Sequence, residues 1–196
     1  MIFNSISNLR SSFRFLRLAV VAGIILVGSS LFGSRAEAQV FHSVRGLLGN
    51  HFQGASSVGF VRLHPSGSQK AAIEKRIGQR LLKSEYVFYV AKKGEQVVGY
   101  ALFDQERGQH EMIDFATFFD ATGKVTRVEV VAYREPYGDG IRSARFRRQF
   151  VGRSAASSMR PGKEIDVISG ATLSTGAMVR AVKRAAVLLE QVVLAG

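Results

Sequence analysis

The chain has 196 residues, 46% of them apolar, with 27 Lys or Arg, 15 Asp or Glu and no cysteine. That is enough for one ordinary domain with a real core, and it excludes global disorder. The missing cysteines exclude disulfides, thiolate metal sites, haem attachment through Cys-x-x-Cys-His and lipid attachment at cysteine, while a formal charge of +12 favours anionic surroundings such as phospholipid head groups, phosphate ligands or acidic partners.

The first 38 residues read as an export signal. Arg10, Arg14 and Arg17 stand in a segment without acids, LAVVAGIILVGSSLFG (18–33) is an apolar block, and Ala36-Glu37-Ala38 has the small-residue form of a cleavage site. Cleavage after Ala38 is expected, leaving 23 basic and 14 acidic residues, a formal charge of +9. The competing reading is an uncleaved anchor, although the block is shorter than the roughly 20 residues of a spanning helix. Ser12-Phe13 stand where a twin-arginine signal needs its arginines, so the expected route is the general secretory one and the location periplasmic. An exported chain with no aromatic-basic platform does not read as a nucleic-acid binder.

Residues 39–66 show no clean periodicity and are expected to be a linker, with His42, His51 and His64 too irregularly spaced for a metal site and taken as solvated. The domain is expected over 67–196. Ala72, Ile73, Ile77, Leu81 and Leu82 form a stripe opposite Lys70, Glu74, Lys75 and Arg80, which predicts a helix over 67–83. Strand-like runs follow at 86–91, 97–103, 110–119 and 125–133, separated by short Gly-containing turns, as in an antiparallel meander. In VTRVEVVAY, Thr126, Val128, Val130 and Ala132 are expected to point inward. Phe115, Phe118 and Phe119 read as packing residues, and Asp104, Glu106 and Glu111 as a crowded turn without a chemical role.

Beyond the sheet come the Gly-rich loop EPYGDGI (135–141), a basic helical segment IRSARFRRQF (141–150), a polar loop over 152–165 and a final helix over 174–193 whose stripe includes Ala177, Met178, Ala181, Val182, Ala185, Leu188, Leu189 and Val192. The expected fold is α+β, with a four-stranded antiparallel sheet covered by two to three helices.

DVISGATLS (166–174) opens that final helix. A helix N-terminus carries backbone N–H groups without intrahelical partners and a positive dipole end, so it stabilises an anion. Gly170 and Ala171 leave room for a phosphate, Thr172 offers a hydroxyl, and Leu173 faces the core side. The plain alternative is that Thr172 or Ser174 caps the helix, a contribution of about 1 kcal/mol.

DVISGAT matches the D-x-x-S/T-G-A-T motif, and through it the chain resembles the FMN-binding domain family, found in the small periplasmic subunits of sodium-pumping NADH:quinone reductases and related electron-transport complexes. The resemblance implies that Thr172 is esterified through its hydroxyl to the phosphate of FMN. It also implies a separate magnesium-dependent flavin transferase that takes FMN from FAD and recognises Asp166 with the loop Ser169, Gly170, Ala171, Thr172, Leu173 and Ser174. EPYGDGI is similar to the E-x-P-G-x-G-like loop of those subunits, with Glu135 and Pro136 adjacent where a threonine commonly intervenes; FRRQFVG (146–152) resembles the segment after it. Glu135, Tyr137 and Gly138 are therefore candidate flavin contacts, Tyr137 by stacking and Glu135 by fixing the loop or bonding the ring; the alternative is a tight turn with a solvated Glu135. The resemblance spans about residues 68–193.

A covalent tether suits a compartment poor in free FMN, since it raises the local cofactor concentration to about the millimolar scale or above. The charged phosphodiester would be favoured by the helix N-terminus by about 0.3–1 kcal/mol, with Arg153, Arg180 and Lys183 as candidate helpers. No histidine lies near the motif in sequence to activate the threonine, which favours the external transferase. The resulting reading is an extracytoplasmic electron-transfer flavoprotein, a redox carrier rather than a stand-alone enzyme, working with a membrane-bound electron donor or acceptor. Two alternatives stay open: a flavin subunit of a multi-chain reductase, and a basic envelope protein without flavin that binds anionic lipid or polymer. Arg142, Arg145, Arg147 and Arg148 could dock an acidic partner or an anionic membrane surface, or form a solvated basic face.

Overall fold

The structure, a computed structural model, describes residues 39–194. The signal-peptide and anchor readings fall on 1–38 and lie outside those residues. The fold is α+β. Six antiparallel strands lie in the order β1-β6-β5-β4-β3-β2: β1 (Gln39–Val40), β2 (Ser57–Leu63), β3 (Tyr86–Lys93), β4 (Gln96–Arg107), β5 (Met112–Asp120) and β6 (Val125–Tyr133). Four α-helices accompany them: α1 (Val44–His51), α2 (Gly67–Ile77), the short α3 (Ala144–Arg147) and α4 (Thr172–Leu188), which runs on into a π-helical turn, Leu189–Leu194.

The expected count of four strands and two to three helices is thus corrected to six and four. The four read from the sequence are the consecutive hairpins β3 to β6. The two others, with α1, come from the stretch 39–66 read as a linker. β2 pairs with β3 over its whole length, yet six of its seven residues are exposed, so it carries no alternation to read. β1 is two residues long, and α1 contains two glycines. A side-chain cap did mark α1: Ser43 accepts the Gly46 N–H at 3.1 Å.

Helix α2 starts with a reciprocal cap, in which Ser66 Oγ accepts from Gln69 N–H and the Gln69 side chain accepts from Ser66 N–H. It stops at Gly78 instead of reaching residue 83. Leu81 is still buried, its N–H bonded to Glu74 Oε1 at 2.8 Å, but Leu82 is 90% exposed, which a continued helical stripe does not allow.

Both faces of the central strands are covered. On one face α4 and α2 enclose the main core, which includes Phe88, Phe115, Phe119, Phe150, Ile165 and Met178; on the other, α1 covers a small cluster of Leu47, Leu48, Ala101, Ala116, Phe118 and Val131. The period-2 alternation sends Phe115 and Phe119 to the first face and Phe118 to the second. The inward set expected along β6 is corrected by two register shifts against β5: Val128 and Val130 join the main core, Val125 joins them, Thr126 stays exposed and Val131 packs under α1. His51, expected to be solvated, packs on the Phe118 ring at 4.3 Å and bonds Thr126 Oγ1 at 3.0 Å.

Two of the three acids left without a chemical role, Asp104 and Glu106, have a structural one. Arg184, on α4, is buried and donates to Asp104 Oδ2 at 2.8 Å, to Glu106 Oε2 at 2.5 Å and to the Gln105 carbonyl at 2.8 Å. Lys83 Nζ adds a bond to Asp104 at 2.6 Å. This group clamps α4 to β4, since buried Asp104 would otherwise stand without counter-charge.

Candidate functional site

The motif loop is pinned at every third residue. Ile165 is fully buried, Ile168 packs against the main core and Ala171 is buried, while Asp166, Ser169 and Gly170 between them and Thr172 just beyond are exposed. Apolar anchors thus hold the chain and leave its polar groups outward. A turn closes at 168–171, with Ala171 N–H donating to the Ile168 carbonyl at 2.9 Å and Gly170 at φ +76°, a conformation strained for side-chain-bearing residues. The Asp166 N–H bonds Gln149 Oε1 at 2.8 Å, which ties the motif to the FRRQF segment.

Helix α4 begins at Thr172 rather than at 174, and its N-cap residue is Ala171, without a side-chain cap. The first intrahelical bond runs from Thr175 N–H to the Ala171 carbonyl at 2.8 Å. Neither Thr172 nor Ser174 serves as the cap. Ser174 is buried and its Oγ lies 2.8 Å from the Tyr133 hydroxyl; Thr175 is fully buried. Thr172 stands on open surface beside Leu173, which is 55% exposed and does not pack on the core side.

The two sequence motifs meet here. The Tyr133 hydroxyl, at the end of β6, donates to the Tyr137 carbonyl at 2.5 Å and contacts Ser174. Gly138, at φ +90°, fits between them: a Cβ there would lie 2.7 Å from Ser174 Oγ and 2.9 Å from the Tyr133 hydroxyl oxygen. A Cβ at Gly140 would come within 3.1 Å of Ile168. Glu135 is buried rather than solvated, and its Oε1 accepts the N–H groups of His110 at 2.7 Å and Glu111 at 3.0 Å, so it fixes the β4–β5 turn. The Tyr137 side chain is 80% exposed.

The candidate phosphate helpers are placed elsewhere. Arg153 donates to the carbonyls of Gln149, Ser158 and Glu164. Arg180 bonds Glu106 Oε1 at 3.0 Å and the Arg107 carbonyl at 2.9 Å. Lys183 lies eleven residues beyond Thr172 on α4, about 16 Å along the axis. The basic segment is only partly a solvated face: Arg147 pairs with Glu129, Arg142 stacks 3.6 Å above the Phe41 ring, and Arg145 and Arg148 are exposed. Among the described residues there is no cluster of His, Asp or Glu fit to hold a metal ion, and no helix is long and apolar enough to cross a membrane.

The donor set fits an esterified phosphate. The N–H groups of the first turn of α4 have no side-chain cap, the hydroxyl of Thr172 is exposed at that terminus, and nothing lies within 4 Å of where a Cβ on Gly170 would stand. The α+β domain thus sets an open, hydroxyl-bearing helix terminus against a Gly-rich loop, an arrangement able to stabilise an anion. Residues 108–187 match the family model of the FMN-binding domain, and FMN is the group the match supports. The match runs from the β4–β5 turn to the end of α4 and includes both motif loops. No curated protein matches the chain.

Sequence reading missed Tyr133, which it placed in a strand, and Gln149, which it placed in a basic helix. Each bonds a partner far along the chain, and no local spacing marks them. Gly108 carried the nearest signal, a glycine at a turn; a Cβ there would meet Glu135 Oε1 at 2.3 Å.

Proposed function

We propose that the protein is an exported electron-transfer flavoprotein that carries FMN on Thr172 through a phosphoester and exchanges electrons with a membrane-associated partner. The observation that carries this reading is the exposed Thr172 hydroxyl at the uncapped N-terminus of α4, within a chain segment that matches the FMN-binding domain.

Attachment conserves atoms and electrons. Thr172 Oγ forms a bond to the flavin-side phosphorus of FAD, the pyrophosphate P–O bond to AMP breaks, AMP leaves, and the hydroxyl proton passes to solvent. No described histidine or carboxylate bonds Thr172, which supports an external, magnesium-dependent transferase as the source of the activating base. Asp166, exposed and held through its own N–H, is available for recognition by that enzyme. Once attached, FMN supplies one- and two-electron redox chemistry. The chain fixes its phosphate on the helix terminus, offers the exposed Tyr137 ring as a stacking surface and keeps Glu135 occupied with backbone N–H groups.

Peptide mass spectrometry tests the reading. From cells containing the transferase, the peptide holding Thr172 should carry the FMN mass, and the Thr172→Ala protein should carry none. An unmodified peptide in both samples refutes the proposal. A binding-only envelope protein would be colourless after purification, whereas this reading expects a yellow protein whose colour survives denaturation.

A further inference from the structure

The Gly-rich loop and the helix carrying Thr172 share one polar junction. The Tyr133 hydroxyl has a single proton, and the Tyr137 carbonyl 2.5 Å away can only accept, so the proton points there. Ser174 Oγ, 2.8 Å from the same oxygen, must then be the donor to Tyr133. The result is a directed chain from Ser174 through Tyr133 to the backbone of Tyr137. Burial pushes the Tyr133 pKa above its ordinary value; the Ser174 bond opposes this and the charges of Glu135 and Asp139 add to it. Tyr133 therefore keeps its proton at neutral pH.

This arrangement withdraws Ser174 from two other roles. Its hydroxyl is neither the cap of α4 nor a reachable nucleophile, because it is buried and already donating. Thr175 is buried as well, which leaves Thr172 as the exposed hydroxyl of the first turn of α4. Gly138 fits the junction closely enough that any side chain would push its parts aside.

We propose that Tyr133 and Ser174 are positioning residues for flavin attachment: their hydroxyl chain holds the first turn of α4 against the 135–141 loop, so that Thr172 is presented in one exposed conformation. This rests on the reading of Thr172 as the attachment site. Removing the Tyr133 hydroxyl leaves a buried donor on Ser174 and a carbonyl on Tyr137 without partners, a penalty relieved by opening the first turn to water. The transferase then meets its substrate conformation in only a fraction of molecules. A smaller competent fraction raises KM for the protein substrate by its inverse and leaves kcat nearly unchanged.

The test uses the full chain purified from cells lacking the transferase, incubated with transferase, Mg²⁺ and FAD, with FMN attachment followed by mass at a series of protein concentrations. Tyr133→Phe should raise KM about tenfold while kcat stays within about twofold, and the amides of 169–175 should exchange hydrogen faster before any flavin is added. Ser174→Ala should shift KM in the same direction, and it serves if Tyr133→Phe does not fold. Phe118→Leu, in the core under α1, is the control for general destabilisation and should lower Tm without raising KM. A wild-type KM in both Tyr133→Phe and Ser174→Ala overturns the inference, as does a Phe118→Leu protein whose KM rises equally. If wild-type protein takes up no FMN at Thr172, it is the attachment reading that fails.

Discussion

The two faces of the sheet are built on different principles. On the α4 face, a 17-residue helix is buried nearly all round and clamped by the charges of Arg184, Asp104 and Glu106. On the opposite face, an eight-residue helix contributes Leu47 and Leu48 to a cluster with four buried sheet residues. The motif loop opens the helix of the first face and shares its core through Ile168 and Ala171. The motif loop therefore stands on the larger, charge-clamped core, and the other face is covered by a smaller cluster. A precise site needs support from packed elements behind it.

The sharpest challenge to this contrast is Arg184→Leu. It removes the buried cation shared by Asp104 and Glu106, leaving Asp104 only Lys83 and Glu106 only Arg180, and should cost about 3–5 kcal/mol of stability, read as a lower urea midpoint. The loss should be accompanied by faster hydrogen exchange along α4. Leu47→Ala is expected to cost less, about 2–3 kcal/mol, because the cluster it enters is small and open to rearrangement, and it should leave exchange in α4 unchanged. Equal losses from the two variants, or loosening of α4 by Leu47→Ala, would erase the distinction between a rigid and a covering face.

A gentler probe uses acid. Burial, with the charge of Arg127 second, lowers the His51 pKa below its ordinary value of 6.5. The folded chain therefore resists a proton that the unfolded chain accepts. The stabilising contribution is complete above 6.5 and is lost as pH falls through the lowered folded-state value. Mild acidification should accelerate hydrogen exchange of α1 before that of α4, and His51→Gln should flatten the dependence. Exchange in the two helices that rises together, or is unaltered by His51→Gln, would deny His51 this role.

Legibility followed the same divide. The four hairpin strands announced themselves because each has an apolar face and a short turn, and α4 because its stripe is long. β2 did not, since six of its residues face solvent and its existence depends on pairing with β3. α1 was hidden by its glycines and by needing Phe118 to cover. The overrun of α2 came from Leu81, whose burial belongs to the chain after Gly78 rather than to a helical stripe.

The sequence by itself determined the hydroxyl motif, its place at the mouth of a long apolar helix, the glycines of the second loop and the absence of any cysteine chemistry, because each is expressed within a few residues. Only the tertiary structure decided which hydroxyls are exposed, that Glu135 is occupied by backbone N–H groups, and that Tyr133 meets Ser174, 41 residues away. Those outcomes depend on how the end of β6 is carried over the first turn of α4 by sheet register and core packing, and a local pattern holds no record of distances between segments that meet only after folding.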